Sequence, residues 1–78
     1  MPSSREILNE LKWRQDRDLE RAEIWYLHRG APNDTKIIPG ADIVELQRSF
    51  MKLNDAMIPY HRILKIVYEG ETIWKKKR

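Results

Sequence analysis

The sequence predicts an α+β fold: one N-terminal helix packed on a strongly twisted, mainly antiparallel sheet of about five short strands, curling toward a partial barrel. Three observations lead there. A capped helical pattern opens the chain, and short β-branched and aromatic runs then follow one another. Tight turns rich in Gly, Pro, Asn and Asp separate those runs. The whole sequence is 78 residues long, so it forms one domain, with residues 1–74 as its body and residues 75–78 as a basic tail.

Ser3 and Glu6 stand at capping-box spacing, where the Ser hydroxyl accepts from an early helix N–H. Ile7, Leu8 and Leu11 share one helical face, with Glu10, Lys12 and Arg14 on the others. This predicts a helix over residues 4–14. Asp16 to Arg21 alternates charges around a lone Leu19 and reads as a solvated connection. Ala22 to Arg29 is a strand with bulky residues on both faces, which predicts a central position covered on each side, with Trp25 in the core. Gly30 to Asp34 breaks it. Lys36 to Ile38 is a short strand ended by Pro39-Gly40. Asp42 to Leu46 is open between strand and helical turn. Phe50 to Leu53 is a strand, Asn54-Asp55 a turn, and Met57-Ile58 leads into Pro59 at an edge or strand entrance. Ile63 to Tyr68 and Thr72 to Trp74 form a hairpin about Glu69-Gly70. Trp13 and Trp74, near element ends, are expected at the margin of the core. No internal repeat is evident, and Tyr26-x-His28-Arg29 beside Tyr60-His61-Arg62 is too short to mark a duplication.

Charge is unevenly placed. Residues 1–74 carry 11 Lys and Arg against 12 Asp and Glu, and Lys75, Lys76, Lys77 and Arg78 supply the remaining four cations. The net charge of +3 therefore belongs to the tail, which reads either as a solvated end or as an arm for RNA phosphates. No apolar run approaches the ~18 residues needed to span a bilayer, and the N-terminus shows no signal-peptide segment. The expected setting is cytoplasmic, with no membrane partner. There is no cysteine, two histidines are thin for zinc, and no carboxylate pattern fits a metal loop, so no metal or cofactor is expected. Walker, dinucleotide and nucleophile-elbow motifs are all missing.

Each of the two histidines precedes an arginine: His28-Arg29 at a strand end and His61-Arg62 at a strand start. Arginine matches phosphate oxygens with a rigid fork of donors, and histidine adds a hydrogen bond or moves a proton near neutral pH. If the two long strands are antiparallel neighbours, the pairs converge at one rim. Alternation then turns one member of each pair to the ligand and the other to the scaffold.

At Tyr26-Leu27-His28-Arg29-Gly30-Ala31-Pro32 and Ile58-Pro59-Tyr60-His61-Arg62-Ile63 the sequence resembles small, largely archaeal proteins carrying the RNA cyclic group end recognition domain. The resemblance runs from Arg5-Glu6-Ile7-Leu8 through Tyr68-Glu69-Gly70, and the Ile-Pro-x-His-Arg-Ile stretch is its most specific part. The residues matching the family pattern are His28, Arg29, Gly30, Pro59, His61 and Arg62. The resemblance implies binding of RNA ends that carry a 2′,3′-cyclic phosphate, in RNA repair or processing. It also implies an RNA-processing enzyme as partner (a phosphoesterase, ligase or nucleotidyltransferase), expected here as a separate protein.

The leading expectation is a non-enzymatic module that binds phosphate-bearing RNA ends. Arg29 and Arg62 would grip phosphate, His28 and His61 would hydrogen-bond it, Tyr60 would stack or reach the ribose, and Lys75, Lys76 and Lys77 would engage the backbone. One alternative is a small phosphoesterase or ribonuclease using the two histidines as acid and base. The other is a protein-interaction adaptor for an RNA-processing enzyme.

Overall fold

The structure, a computed structural model, describes residues 3–76. Among them stand one helix, α1 (Ser4–Trp13), and seven strands: β1 (Ala22–Leu27), β2 (Thr35–Pro39), β3 (Ile43–Leu46), β4 (Phe50–Leu53), β5 (Met57–Pro59), β6 (Ile63–Tyr68) and β7 (Glu71–Lys75). The fold is α+β, as the pattern predicts. The strand number is seven rather than five, and the strands form two open sheets, β2-β1-β6-β7 and β3-β4-β5, rather than one curling toward a barrel. Every neighbouring pair is antiparallel.

The division has a local cause that repeats. Ile38-Pro39 ends β2 and Ile58-Pro59 ends β5; each proline lacks an N–H and halts ladder pairing. A one-turn 3₁₀ segment follows each, Gly40–Asp42 and Tyr60–Arg62. Each turn closes when the next isoleucine donates its N–H back, Ile43 to the Gly40 carbonyl and Ile63 to the Tyr60 carbonyl. The first corner carries the chain from the large sheet to the small one and the second carries it back. The two corners share the spacing Ile-Pro-x-x-x-Ile, an internal correspondence that a search for longer repeats overlooks. Gly40 is fixed by close approach: a Cβ there would overlap the Leu19 carbonyl oxygen, which belongs to a 3₁₀ turn, Leu19–Arg21, packed against the first corner.

Helix α1 forms as its pattern predicts. The Ser3 Oγ accepts the Glu6 N–H at 3.2 Å, and the helix buries Ser4, Leu8 and Leu11 with Ile7 half-buried beside them. It packs on both β6 and β3. The core lies between α1, the inner face of the large sheet (Ile24, Tyr26, Ile38, Ile63, Ile66) and the small sheet (Met51, Leu53, Ile58). Asp42 to Leu46, open between turn and strand in the sequence, is the end of a 3₁₀ turn followed by β3. The solvated connection holds ion pairs, Arg14 with Asp16 and Arg21 with Asp18, and its Leu19 packs against the core. Arg14 holds the exposed Asp16 carboxyl below its usual range through their hydrogen bond.

Two expectations about burial are overturned. Strand β1 is central, between β2 and β6, but only its Ala22, Ile24 and Tyr26 face is covered. On the outer face Trp25 is half-buried rather than core, and Leu27 is exposed. No helix among the described residues lies over that side, because α1 and the small sheet both pack on the other. Trp13 does not close the core margin either: it is 77% exposed at the end of α1. Trp74 does pack against the core.

Candidate functional site

The site residues are brought together by strand register. Strands β1 and β6 are antiparallel with Tyr26 opposite Ile63, so the end of β1 lies beside the start of β6. The segments carrying His28-Arg29 and His61-Arg62 therefore meet at one rim. Beyond Leu27 the chain turns through Gly30 at φ +95° and through Asn33 and Asp34, both left-handed at φ 56° and 52°. The His28 N–H donates to the Asp34 carbonyl at 2.8 Å and closes this loop. His28 is held at the sheet end by its own backbone, leaving the imidazole free to face the cleft.

That cleft opens between the inner face of the large sheet and the β4–β5 turn, with a volume of about 840 Å³. This lies within the ~300–1,000 Å³ usual for small-ligand sites. His28, Lys36 and Arg62 bring positive character to it, and Asp42, Asn54 and Asp55 stand among its other lining residues. Tyr26, Ile38 and Ile58 form part of its apolar lining. The Tyr26 ring meets the His28 imidazole edge-on, with centroids 6.2 Å apart. Lys36 is the register partner of Tyr26 across β1 and β2, which places it on the inner face. Neither Lys36 nor Arg62 forms an ion pair among the described residues. Two unpaired cations and an imidazole around a concave, partly apolar surface suit a single anionic group.

Asp42 and Arg62 occupy the same place in the two Ile-Pro corners, one closing each 3₁₀ turn, and both line the cleft. The repeated corner thus places an acid and a base at equivalent positions around one opening. The acids matter for scale. Carboxylates at Asp42 and Asp55 beside the cations would favour one anionic group over a run of several.

The other sequence-predicted residues stand elsewhere. Arg29 lines a shallow depression on the outer side of the same hairpin end, together with Pro32 and Thr35. His61 is not among the cleft's lining residues; its carbonyl accepts the Lys76 ammonium at 2.6 Å. The two imidazoles therefore do not share this opening. Tyr60 is half-buried, and its hydroxyl donates to the Gln47 carbonyl at 2.5 Å. Burial pushes the Tyr60 phenol up, while Arg5 pulls the other way. Lys75 completes β7, and the Lys76 N–H donates to the Leu64 carbonyl at 2.8 Å. Lys77 lies outside the described residues. Of the residues predicted, the structure joins one from each pair, His28 and Arg62. Lys36, Asp42 and Asp55 were missed. Asp42 was open to prediction by the repeated Ile-Pro spacing, and Lys36 only once its cross-strand partner Tyr26 is known. The described residues hold no cluster of His, Cys, Asp and Glu suited to a metal, and no helix among them is long and apolar enough to cross a membrane.

Two open antiparallel sheets, one helix and a mixed-charge cleft between the sheets define the class: a small α+β domain. The chain belongs to the MJ1316 RNA cyclic group end recognition domain family, whose model matches residues 1–76. It is similar to a UPF0248 protein of Methanococcus maripaludis strain C7, 43% identical over 75 residues that cover 94% of this chain and 97% of the relative. A UPF0248 protein of Methanocaldococcus jannaschii is also 43% identical, covering 94% of this chain and 92% of its own. One from Thermococcus onnurineus is 38% identical over 77 residues, 97% of this chain and 87% of the relative. No solved structure matches the chain.

Proposed function

We propose that the chain is a binding module for RNA ends bearing a terminal phosphate, 2′,3′-cyclic by preference, and that the cleft between the sheets receives that end. One observation carries the reading. His28 and Arg62, from two segments far apart in sequence, line one opening with Lys36, and neither Lys36 nor Arg62 has an ion-pair partner among the described residues. Arg62 supplies the bidentate fork, Lys36 a point charge, and His28 a ring N–H donor. The Tyr26 ring edge and the aliphatic side chains beside it take the apolar face of the terminal nucleoside. Asp42 and Asp55 favour an end over a mid-strand segment, because a continuing backbone would bring further phosphates against them. The family's name for its domain points to the same ligand.

The test is a pair of otherwise identical oligoribonucleotides, one ending in a 2′,3′-cyclic phosphate and one in a 3′-hydroxyl, titrated with the protein by fluorescence anisotropy. The cyclic end is expected to bind at least tenfold more tightly. Equal affinity for the two oligomers overturns end recognition.

A further inference from the structure

The outer face of the large sheet is an open surface that meets the cleft along β2. At its centre Trp25 lies beneath Lys65, whose Nζ sits 3.9 Å from the ring centroid. The two are register partners across β1 and β6. The contact holds the ammonium over the sheet. Beside them Leu27 and Ile37 are 40% and 47% exposed. Lys75 is the register partner of Lys65 on the far side. Like charges directly opposite one another destabilise a strand pair, so two facing lysines suit a surface that meets an anion. Arg29 borders the same side through the shallow depression at the hairpin end. Glu23 is the acid on the β1 side of this face.

The face is continuous with the cleft. His28, Lys36 and Ile37 line both the cleft and the outer depression, so the two surfaces meet across β2, an edge strand of its sheet. We infer that the outer face of β2-β1-β6-β7 is a track for the single-stranded RNA that leads to the end held in the cleft. The strand leaves the cleft over Lys36, passes Arg29, and runs across Leu27 and Ile37 toward Lys65 and Lys75. Its bases rest on the exposed aliphatic side chains, and its phosphates meet the cations. Charge chooses this occupant. A second copy of the chain would bring further lysines to a face where Glu23 is the acid at hand to offset them, whereas a single strand supplies phosphates along the whole path. The inference deepens the end-binding reading and rests on it only for direction, since the cations and open side chains are independent of what the cleft holds.

The experiment compares a trinucleotide with a single strand of about ten nucleotides, both ending in the same 2′,3′-cyclic phosphate, on wild type, Lys65→Met and Leu27→Ser. Methionine keeps an unbranched stem over Trp25 and removes the charge; circular dichroism checks that each variant is folded. Both variants are expected to bind the longer strand about three- to tenfold more weakly and the trinucleotide as wild type does. Lys65→Met should also reduce the log–log salt slope for the longer strand by about 0.7, one phosphate contact. Equal losses on both lengths, or no loss on the longer strand, overturn the track. So does a dimer in sedimentation that Lys65→Met dissociates, since the face would then belong to a second copy. A wild type that ignores the cyclic phosphate yet shows the length-dependent loss ends the cleft reading and leaves the track standing.

Discussion

Arg62 lines the cleft with no carboxylate paired to its fork among the described residues, whereas its neighbour His61 lends the same turn a carbonyl that accepts Lys76. That difference yields a prediction at the scale of single side chains. Arg62→Ala and Lys36→Ala should each weaken binding of a cyclic-phosphate end by roughly tenfold to a hundredfold, the ~1.5–3 kcal/mol of a charge-assisted hydrogen bond. His61→Ala should change it less than about twofold, because the side chain stands outside the cleft's lining. Anisotropy titrations, with melting temperatures to confirm folding, read all three; a His61→Ala loss as large as that of Arg62→Ala contradicts the geometry. The sequence made both pairs visible and expected, from alternation on a strand, that one of each would turn away; in fact His28-Arg29 follow the end of β1 and His61-Arg62 sit in a 3₁₀ turn. Alternation alone cannot say which, because the choice depends on register with β6 and on a 3₁₀ turn. Lys36 escaped notice for a simpler reason. A lone lysine on a short strand has no signature until its partner across the ladder, Tyr26, is known.

At the scale of elements, each Ile-Pro corner ends a strand, spends one 3₁₀ turn and starts the next strand in the other sheet. The first break was plain in the sequence, where Pro39-Gly40 ends the strand, whereas Pro59, read as an edge or a strand entrance, in fact closes β5. The change of sheet was not plain, because binary pattern records which face is buried and not which sheet buries it. The same gap made Trp25 look central. Both faces of β1 carry bulky residues, yet the helix and the second sheet cover only one of them. The second corner is braced by the Tyr60 hydroxyl on the Gln47 carbonyl and by Lys76 on the His61 carbonyl. Burial raises the Tyr60 phenol above its ordinary value of 10.0, against the opposing pull of Arg5. A group whose folded-state value is raised contributes stability fully below the unfolded value and loses it as pH climbs through the folded one. Stability should therefore hold up to about pH 10 and decline above it. Tyr60→Phe should cost about 1 kcal/mol at neutral pH, the worth of the lost hydrogen bond, and should lessen the alkaline decline. Urea unfolding of both proteins at neutral pH and above pH 10 measures this; parallel declines would mean that Tyr60 is not the titrating brace.

For the whole molecule, the question is whether two open sheets make one cooperative unit. A chain of 78 residues is too small to maintain two independent cores, and the observed packing gives it one. Helix α1 touches both β3 and β6, the chain crosses between the sheets at both corners, and Met51 of the small sheet is fully buried in the same core as Ile24, Ile63 and Ile66 of the large one. The cleft depends on that union, since Tyr26, His28 and Lys36 belong to the β1–β2 side and Asn54 and Asp55 to the β4–β5 turn. Met51→Ala should then cost about 2–5 kcal/mol through lost burial and a residual cavity. That is a large share of the ~5–15 kcal/mol by which such domains are stable. The loss should be felt everywhere at once: far-ultraviolet circular dichroism and tryptophan fluorescence should fall together, in a single transition at lower temperature, and binding of RNA ends should vanish over the same interval. Trp25 and Trp74 report from the large sheet, so a fluorescence transition unchanged by a mutation in the small sheet would show the sheets unfolding separately. In that case the cleft would be a joint between two loosely coupled halves, and end binding would itself have to assemble it.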